Sequence, residues 1–153
     1  MSGIKQDIEA QTLSIQEVSE RSGLSVPTLR YYEEVGIIDA VERDKSSGHR
    51  RYTVEEAEVI EAVACLRAVG LGLEEMKAYG QLRKRGDAAA VERGDMFKAH
   101  LQVVNREIEL LMLRKDYLEL KIKYWDAKAA GNQQEADRLA QDFRAYANRL
   151  RSL

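Results

Sequence analysis

A heptad repeat runs through the second half of this chain of 153 residues. Apolar residues alternate there at spacings of four and three, and the repeat contains a single charged residue. Its positions are Phe97, Leu101, Val104, Ile108, Leu111, Lys115, Leu118, Ile122 and Trp125. Such a stripe along one face of a helix is typical of a coiled coil, in which it packs against a second helix. The repeat therefore predicts one long helix within residues 88–130 that requires a partner helix.

We expect the partner to be a second copy of the chain. A helix from about Val91 to Lys128 would be on the order of 55 Å long, so the domain before it cannot cover the whole stripe. Lys115 within the stripe would cost stability and would set the register or orientation of the two helices. In the alternative, the stripe packs within one chain against a C-terminal helix over residues 132–152, after a break at Gly131. We favour the homodimer because that last helix is only half as long.

The N-terminal half predicts two short helices joined by a tight turn. Ser14 and Glu17 have the spacing of a capping box at the start of the first helix. Gly23 stands where a left-handed residue would end that helix, and Ser25 then caps a second helix with Pro27 in its first turn. Two short helices separated by such a turn indicate a helix-turn-helix.

The segments that follow predict a wing. Residues 37–42 and 49–52 are short extended candidates on either side of a polar turn, and we expect them to pair as a β-hairpin. A further helix begins after Thr53, and another spans Leu73 to Lys84. We therefore expect a mainly α protein. Its parts are a winged helix-turn-helix domain over residues 13–84 with a small β-hairpin wing, a long dimerising coiled-coil helix and a short C-terminal helix.

The charge of the wing indicates a nucleic-acid interface, although the whole chain has a net charge of −2. Residues 43–51 hold four basic side chains and one acidic one, an excess that suits a phosphate backbone. In the second helix Thr28 and Arg30 are polar and long enough to reach bases or phosphates, and tyrosine hydroxyls can bind phosphate. The expected DNA-binding residues are Ser14, Thr28, Arg30, Tyr31, Tyr32, Arg43, Lys45, Arg50, Arg51 and Tyr52.

Other classes of function find little support in the sequence. The chain has one cysteine, Cys65, and two isolated histidines, so we expect neither an internal disulfide nor a metal site. No glycine-rich loop, acidic pair or cofactor fingerprint accompanies Cys65, so we expect no enzyme activity and no cofactor. No apolar run approaches a membrane span, and Met1 to Gln11 lacks the pattern of a secretory signal. We therefore expect a cytoplasmic protein without a membrane partner.

Several strings in the first half resemble the MerR family of transcription regulators. They are LSIQEV at 13–18, GLSVPTLRYYE at 23–33, GII at 36–38, GHRRY at 48–52 and the segment 66–76. The resemblance covers residues 13 to 82, and TLRYYE in this context is its most specific part. Two departures from the family pattern are His49, where tyrosine is usual, and Gly72, where serine is usual.

The resemblance implies a homodimer, joined through an antiparallel coiled coil, that binds a pseudo-palindromic operator in double-stranded promoter DNA. Such dimers distort an overlong promoter so that RNA polymerase can engage both of its elements. The match also implies that Arg30, Tyr31 and Tyr32 contact the DNA backbone and that Arg50 and Tyr52 contact it from the wing. An excisionase-like DNA-architectural protein is the alternative within this fold, but such proteins usually lack a long dimerisation helix.

Within the family, the residues around Cys65 and the segment 118–128 are most similar to the thiol-based NmlR/AdhR-like branch. This resemblance implies a response to aldehydes or other electrophiles through Cys65, whose thiolate would attack the electrophile. Glu61, one helical turn earlier, would oppose formation of the thiolate, and Arg67 lies on another face. The alternatives are that Cys65 is a small buried apolar residue or that the regulator responds to a signal that involves no thiol.

Overall fold

The computed structural model describes residues 12–152, and Met1–Gln11, where we expect no secretory signal, lies outside them. The described residues contain six α-helices, with a short 3₁₀ turn, Gly86–Ala89, before the fifth helix. They are α1 (Ile15–Ser22), α2 (Val26–Glu34), α3 (Val54–Ala68), α4 (Leu73–Lys84), α5 (Ala90–Ala129) and α6 (Gln133–Arg151). The chain divides into two compact units with the boundary after Met96. None of the helices described is long and apolar enough to cross a membrane.

The predicted helix-turn-helix is confirmed, and its local signals act as expected. The Ser14 hydroxyl accepts a hydrogen bond from the Glu17 amide at 3.2 Å, and the Glu17 carboxylate accepts one from the Ser14 amide at 2.7 Å. Gly23 follows α1 with φ +73°, a left-handed conformation that favours glycine. Ser25 caps α2 by accepting a hydrogen bond from the Thr28 amide.

The core of the first unit forms where α1, α2 and α3 meet the residues that follow α2 and precede α3. Val18, Leu29 and Tyr52 are the largest fully buried side chains of the described residues. Ile37 and Ile38 join the same cluster, as do apolar side chains of α3 and α4. This core fixes α2 and the wing against one framework, so both can present polar side chains from defined positions.

The predicted β-hairpin is only partly formed, because residues 12–152 contain isolated antiparallel bridges and no β-strand. Arg43 and Arg50 form one bridge across the wing turn. Tyr52 pairs instead with Leu13, with amide-to-carbonyl distances of 2.7 and 2.9 Å in the two directions. The expectation of a strand over residues 37–42 was wrong. The Ile37 and Ile38 amides both donate to the Tyr32 carbonyl, so the chain turns there instead of extending.

In the second unit, α6 packs against α5 within the chain. Gly131, with φ +71°, lies between the two helices, and Ala127, Ala136 and Leu139 form a small buried cluster between them. The Phe143 ring packs edge-on against the rings of Tyr117 and Tyr124.

The face of α5 that α6 covers is a second stripe, and we call it the inner stripe. Its members recur at spacings of three and four, and they are Tyr117, Leu120, Tyr124 and Ala127. At 100° per residue this stripe lies on the side of α5 roughly opposite the heptad repeat. Leu111, Leu118, Ile122 and Trp125 in the repeat are each about 60% exposed. The alternative that α6 covers the heptad stripe was therefore wrong.

Candidate nucleic-acid interface

The second helix of the helix-turn-helix presents its first turns to solvent. The Ser25 hydroxyl accepts from the Thr28 amide at 3.2 Å and lies 2.8 Å from the Thr28 hydroxyl, which orders the N-terminal turn of α2. Arg30 and Tyr31 are exposed on this helix. An exposed helix N-terminus that bears an arginine has the geometry that enters a major groove in helix-turn-helix proteins.

A cationic cleft lies between the first turn of α1, the middle of α2 and the wing. Its volume is about 280 Å³, and its lining includes the guanidinium-bearing residues Arg30, Arg43, Arg50 and Arg51. The first turn of α1, residues 14–16, forms another wall of the same cleft. The first amides of a helix lack intrahelical partners and carry the positive end of its dipole, so they favour an anion. The cleft therefore combines the groups that bind a phosphate of a nucleic-acid backbone.

The basic side chains of the wing differ in their availability. Lys45, at the tip, is exposed, and Arg43 is exposed while donating one hydrogen bond to the Gly48 carbonyl at 3.2 Å. Arg51 donates to the Thr12 hydroxyl at 3.0 Å and is only partly exposed. Arg50 is also only partly exposed and pairs with an acid of α2. Arg43 and Lys45 are accordingly the wing cations best placed to meet a ligand.

The turn of the wing is closed by a single carboxylate. Asp44 accepts hydrogen bonds from the amides of Ser46 and Ser47, at 2.9 and 2.7 Å, and from both of their hydroxyls. These bonds favour the charged form and hold the pKa of the Asp44 carboxyl well below its usual range. The only acidic side chain within residues 43–51 therefore stabilises the turn, and the turn carries Lys45 at its tip.

Two of the predicted DNA contacts lie in the core. The side chain of Tyr52 is fully buried, and its hydroxyl has no hydrogen-bond partner among the described residues. Burial raises the pKa of the Tyr52 hydroxyl. Tyr32 is also buried, with 4% of its surface exposed. Tyr52 and Tyr32 therefore present almost no surface to a ligand in this structure, and their contacts with DNA stay predictions.

Cys65 is exposed near the end of α3, so the alternative of a buried core residue was wrong for the single chain. The acid expected to oppose its ionisation is itself paired. Arg21 of α1 donates to the Glu61 carboxylate at 2.6 Å.

Sequence reasoning missed two contributors to this region. Glu33 of α2, which the sequence does not single out, pairs with Arg50 of the wing. His49 lines the cleft beside Arg50. No local signal reveals the first pairing, because the two residues are 17 positions apart and meet only after the wing folds back. Within residues 12–152, no group of three or more histidine, cysteine or acidic side chains is placed to hold a metal ion.

A helix-turn-helix whose recognition helix and wing share a cationic cleft defines a DNA-binding protein of the winged helix-turn-helix class. The chain belongs to the MerR family of helix-turn-helix regulatory proteins, whose family model matches residues 13–81. A transcriptional regulator of Haemophilus influenzae is 30% identical over 122 residues, covering 79% of this chain and 90% of the relative. The family comprises transcription regulators and not enzymes.

Other similar proteins agree with this assignment. The regulator AdhR of Bacillus subtilis is 41% identical over 81 residues, which cover 53% of this chain and 57% of AdhR. Among solved structures, HiNmlR is described as a MerR family regulator that lacks the sensor domain and is bound to promoter DNA. It matches with a TM-score of 0.60 and 30% identity, over 79% of this chain and 96% of HiNmlR. A MerR family structure from Listeria monocytogenes matches with a TM-score of 0.65 and 29% identity, over 85% of this chain and 98% of that one.

Proposed function

We propose that this regulator binds a pseudo-palindromic operator in promoter DNA as a homodimer and distorts the duplex so that RNA polymerase can engage the promoter. The observation that carries the proposal is the cationic cleft formed by α1, α2 and the wing. A similar protein, HiNmlR, is described as bound to promoter DNA, which supports the same class of ligand here.

In this proposal the cleft holds the phosphate backbone, while α2 lies in the major groove. Arg30 and Arg43 neutralise phosphates, and Lys45 does so from the tip of the wing. Thr28 and Tyr31 face the duplex from α2, where a hydroxyl can meet a base edge or a phosphate oxygen. Because this helix offers few groups that read bases, the shape and deformability of the DNA supply part of the specificity.

The exposed heptad stripe supports the homodimer. Large apolar side chains recur along α5 on the side that α6 leaves open. A contiguous exposed stripe of this kind is costly in water and marks an interface. Two copies that pack along it would place two winged helix-turn-helix domains at a fixed separation, as a pseudo-palindromic operator requires.

The phosphate contacts can be tested through the salt dependence of binding. In Arg30→Ala, affinity should fall for specific and non-specific duplexes alike, because a phosphate contact carries no sequence information. The slope of log K against log salt should lose about 0.9 per contact, or about 1.8 per dimer. Lys77→Ala removes an exposed cation of α4 that does not line the cleft, and it should leave the slope unchanged.

An outcome in which Arg30→Ala weakens binding to one duplex only, at an unchanged slope, would contradict the phosphate assignment. Footprinting on the promoter adds an independent check. A single protected site between promoter elements supports regulation, whereas tandem cooperative sites would support the architectural alternative.

We further propose that Cys65 reports electrophiles such as aldehydes. The exposure of the thiol near the end of α3 supports this. Attack of the thiolate on an electrophile would add a group to α3 and alter its packing. Cys65→Ser should abolish induction of a promoter reporter by aldehyde while leaving operator affinity intact. A wild-type aldehyde response in Cys65→Ser would eliminate this signal and leave the DNA-binding proposal standing.

A further inference from the structure

One ion pair connects the recognition helix to the wing. Arg50 Nε donates to Glu33 Oε2 at 2.8 Å, and Arg50 Nη2 donates to Glu33 Oε1 at 3.4 Å. The two side chains are only 18% and 15% exposed, so water screens the pair poorly. The pKa of the Arg50 guanidinium is raised, chiefly by its hydrogen bonds to Glu33.

The position of this pair matters more than its own charge. Glu33 lies three residues after Arg30, about one turn further along α2. Arg50 bridges to Arg43 across the wing turn. The ion pair therefore ties together the two elements that carry the exposed arginines of the cleft, Arg30 on α2 and Arg43 on the wing.

Arg50 is a poor phosphate ligand while its guanidinium is paired with Glu33. Glu33 occupies one edge of the guanidinium and cancels its charge at close range. A phosphate near Arg50 would also face the Glu33 carboxylate, so Arg50 adds little net positive charge to the cleft. Within residues 12–152, neither Arg43 nor Lys45 forms an ion pair.

We propose that Glu33 and Arg50 are positioning residues that lock the wing against α2 and set the separation of Arg30 and Arg43, while Arg50 itself neutralises no phosphate. This inference rests on the proposed function, since it concerns how the same interface meets DNA. It replaces the expectation that Arg50 is a backbone contact, and it assigns a role to an acid within a DNA-binding surface.

The first test compares acids on α2. Removal of a carboxylate beside DNA would tighten binding if charge alone mattered. Glu33→Ala should instead weaken operator binding about tenfold, because the wing is released. Glu34→Ala is the matched control, since Glu34 is the exposed neighbouring acid on the same helix, and it should bind as tightly as wild type or slightly more tightly. Equal or tighter binding by Glu33→Ala would overturn the proposal.

The second test separates positioning from phosphate contact at Arg50. Arg50→Lys keeps the charge but cannot reproduce the two-point contact with Glu33. It should weaken binding about tenfold and keep the wild-type salt slope. The double variant Glu33→Ala with Arg50→Lys should bind no more weakly than either single variant, because both substitutions disrupt the same ion pair. The exchange Glu33→Arg with Arg50→Glu should recover part of the lost affinity.

Arg43→Ala provides the reference for the loss of a phosphate ligand. In this variant the slope of log K against log salt should decrease by about 1.8 per dimer. If Arg50→Met decreases the slope by the same amount as Arg43→Ala, Arg50 is a phosphate ligand and the positioning role is wrong. If Arg43→Ala and Arg30→Ala both leave the slope unchanged, the proposed DNA interface itself fails. Thermal unfolding of each variant confirms that the affinities are measured on folded protein.

Discussion

At the scale of single residues, burial separates side chains that the sequence groups together. The string GHRRY at 48–52 places Arg50, Arg51 and Tyr52 next to one another, and all three were predicted to contact DNA. In the structure Arg50 pairs with Glu33, Arg51 donates to Thr12, and Tyr52 is fully buried. These outcomes could not be predicted from the string, because each depends on a partner distant in sequence.

Tyr52 gives a prediction at this scale. Its hydroxyl is buried and hydrogen-bonds to no described residue, so its removal leaves no polar group among those residues unsatisfied. Tyr52→Phe should keep wild-type operator affinity, and its free energy of unfolding should be unchanged or raised by up to about 2 kcal/mol. Fluorescence anisotropy with operator DNA and urea unfolding provide the two measurements. A tenfold loss of affinity with unchanged stability would return Tyr52 to the DNA interface.

At the scale of secondary structure, local signals were predicted well and long-range pairing was not. The capping boxes of α1 and α3 act over three residues, so the sequence contains both partners of each bond. The strand expected over residues 37–42 did not form, because the Ile37 and Ile38 amides donate to the Tyr32 carbonyl, and Tyr52 pairs with Leu13, 39 positions earlier in sequence. A turn signal predicts where a hairpin reverses, but it does not determine which segment completes the ladder.

The turn between α1 and α2 can be tested with one substitution made at two glycines. Gly23 has φ +73°, and a Cβ there would meet no atom within 4 Å, so Gly23→Ala costs only backbone strain. It should lower the free energy of unfolding by about 1–2 kcal/mol. Gly94 lies inside α5 with similar open space, and Gly94→Ala should raise stability by about 0.4–1 kcal/mol. Urea unfolding at one protein concentration should show changes of opposite sign in the free energy of unfolding of the two variants. Changes of the same sign would contradict the conformations assigned to Gly23 and Gly94.

At the scale of the whole molecule, α5 carries two apolar stripes with different partners. The heptad repeat was evident in the sequence because its spacing is regular over nine positions. The inner stripe has the same spacing, yet its tyrosines and alanine made it inconspicuous beside the larger apolar side chains of the repeat. The structure assigns α6 to the inner stripe, and the heptad stripe remains exposed in the single chain.

The proposed homodimer can be tested on α5, because the two DNA-binding domains of a dimer would be needed to meet a pseudo-palindromic operator. Leu118→Asp places a charge in the exposed heptad stripe, where Leu118 is 60% exposed in the single chain. It should weaken dimerisation strongly without unfolding either helix, since α6 packs on the other side. Gln102→Asp adds the same charge on α5 outside the repeat and serves as the control.

Analytical ultracentrifugation at micromolar concentration, with and without operator DNA, measures whether two copies of the chain associate. Wild type and Gln102→Asp should sediment with the mass of two chains, and Leu118→Asp should sediment largely as one. A wild-type protein that sediments as single chains, even when it is bound to DNA, would contradict the account.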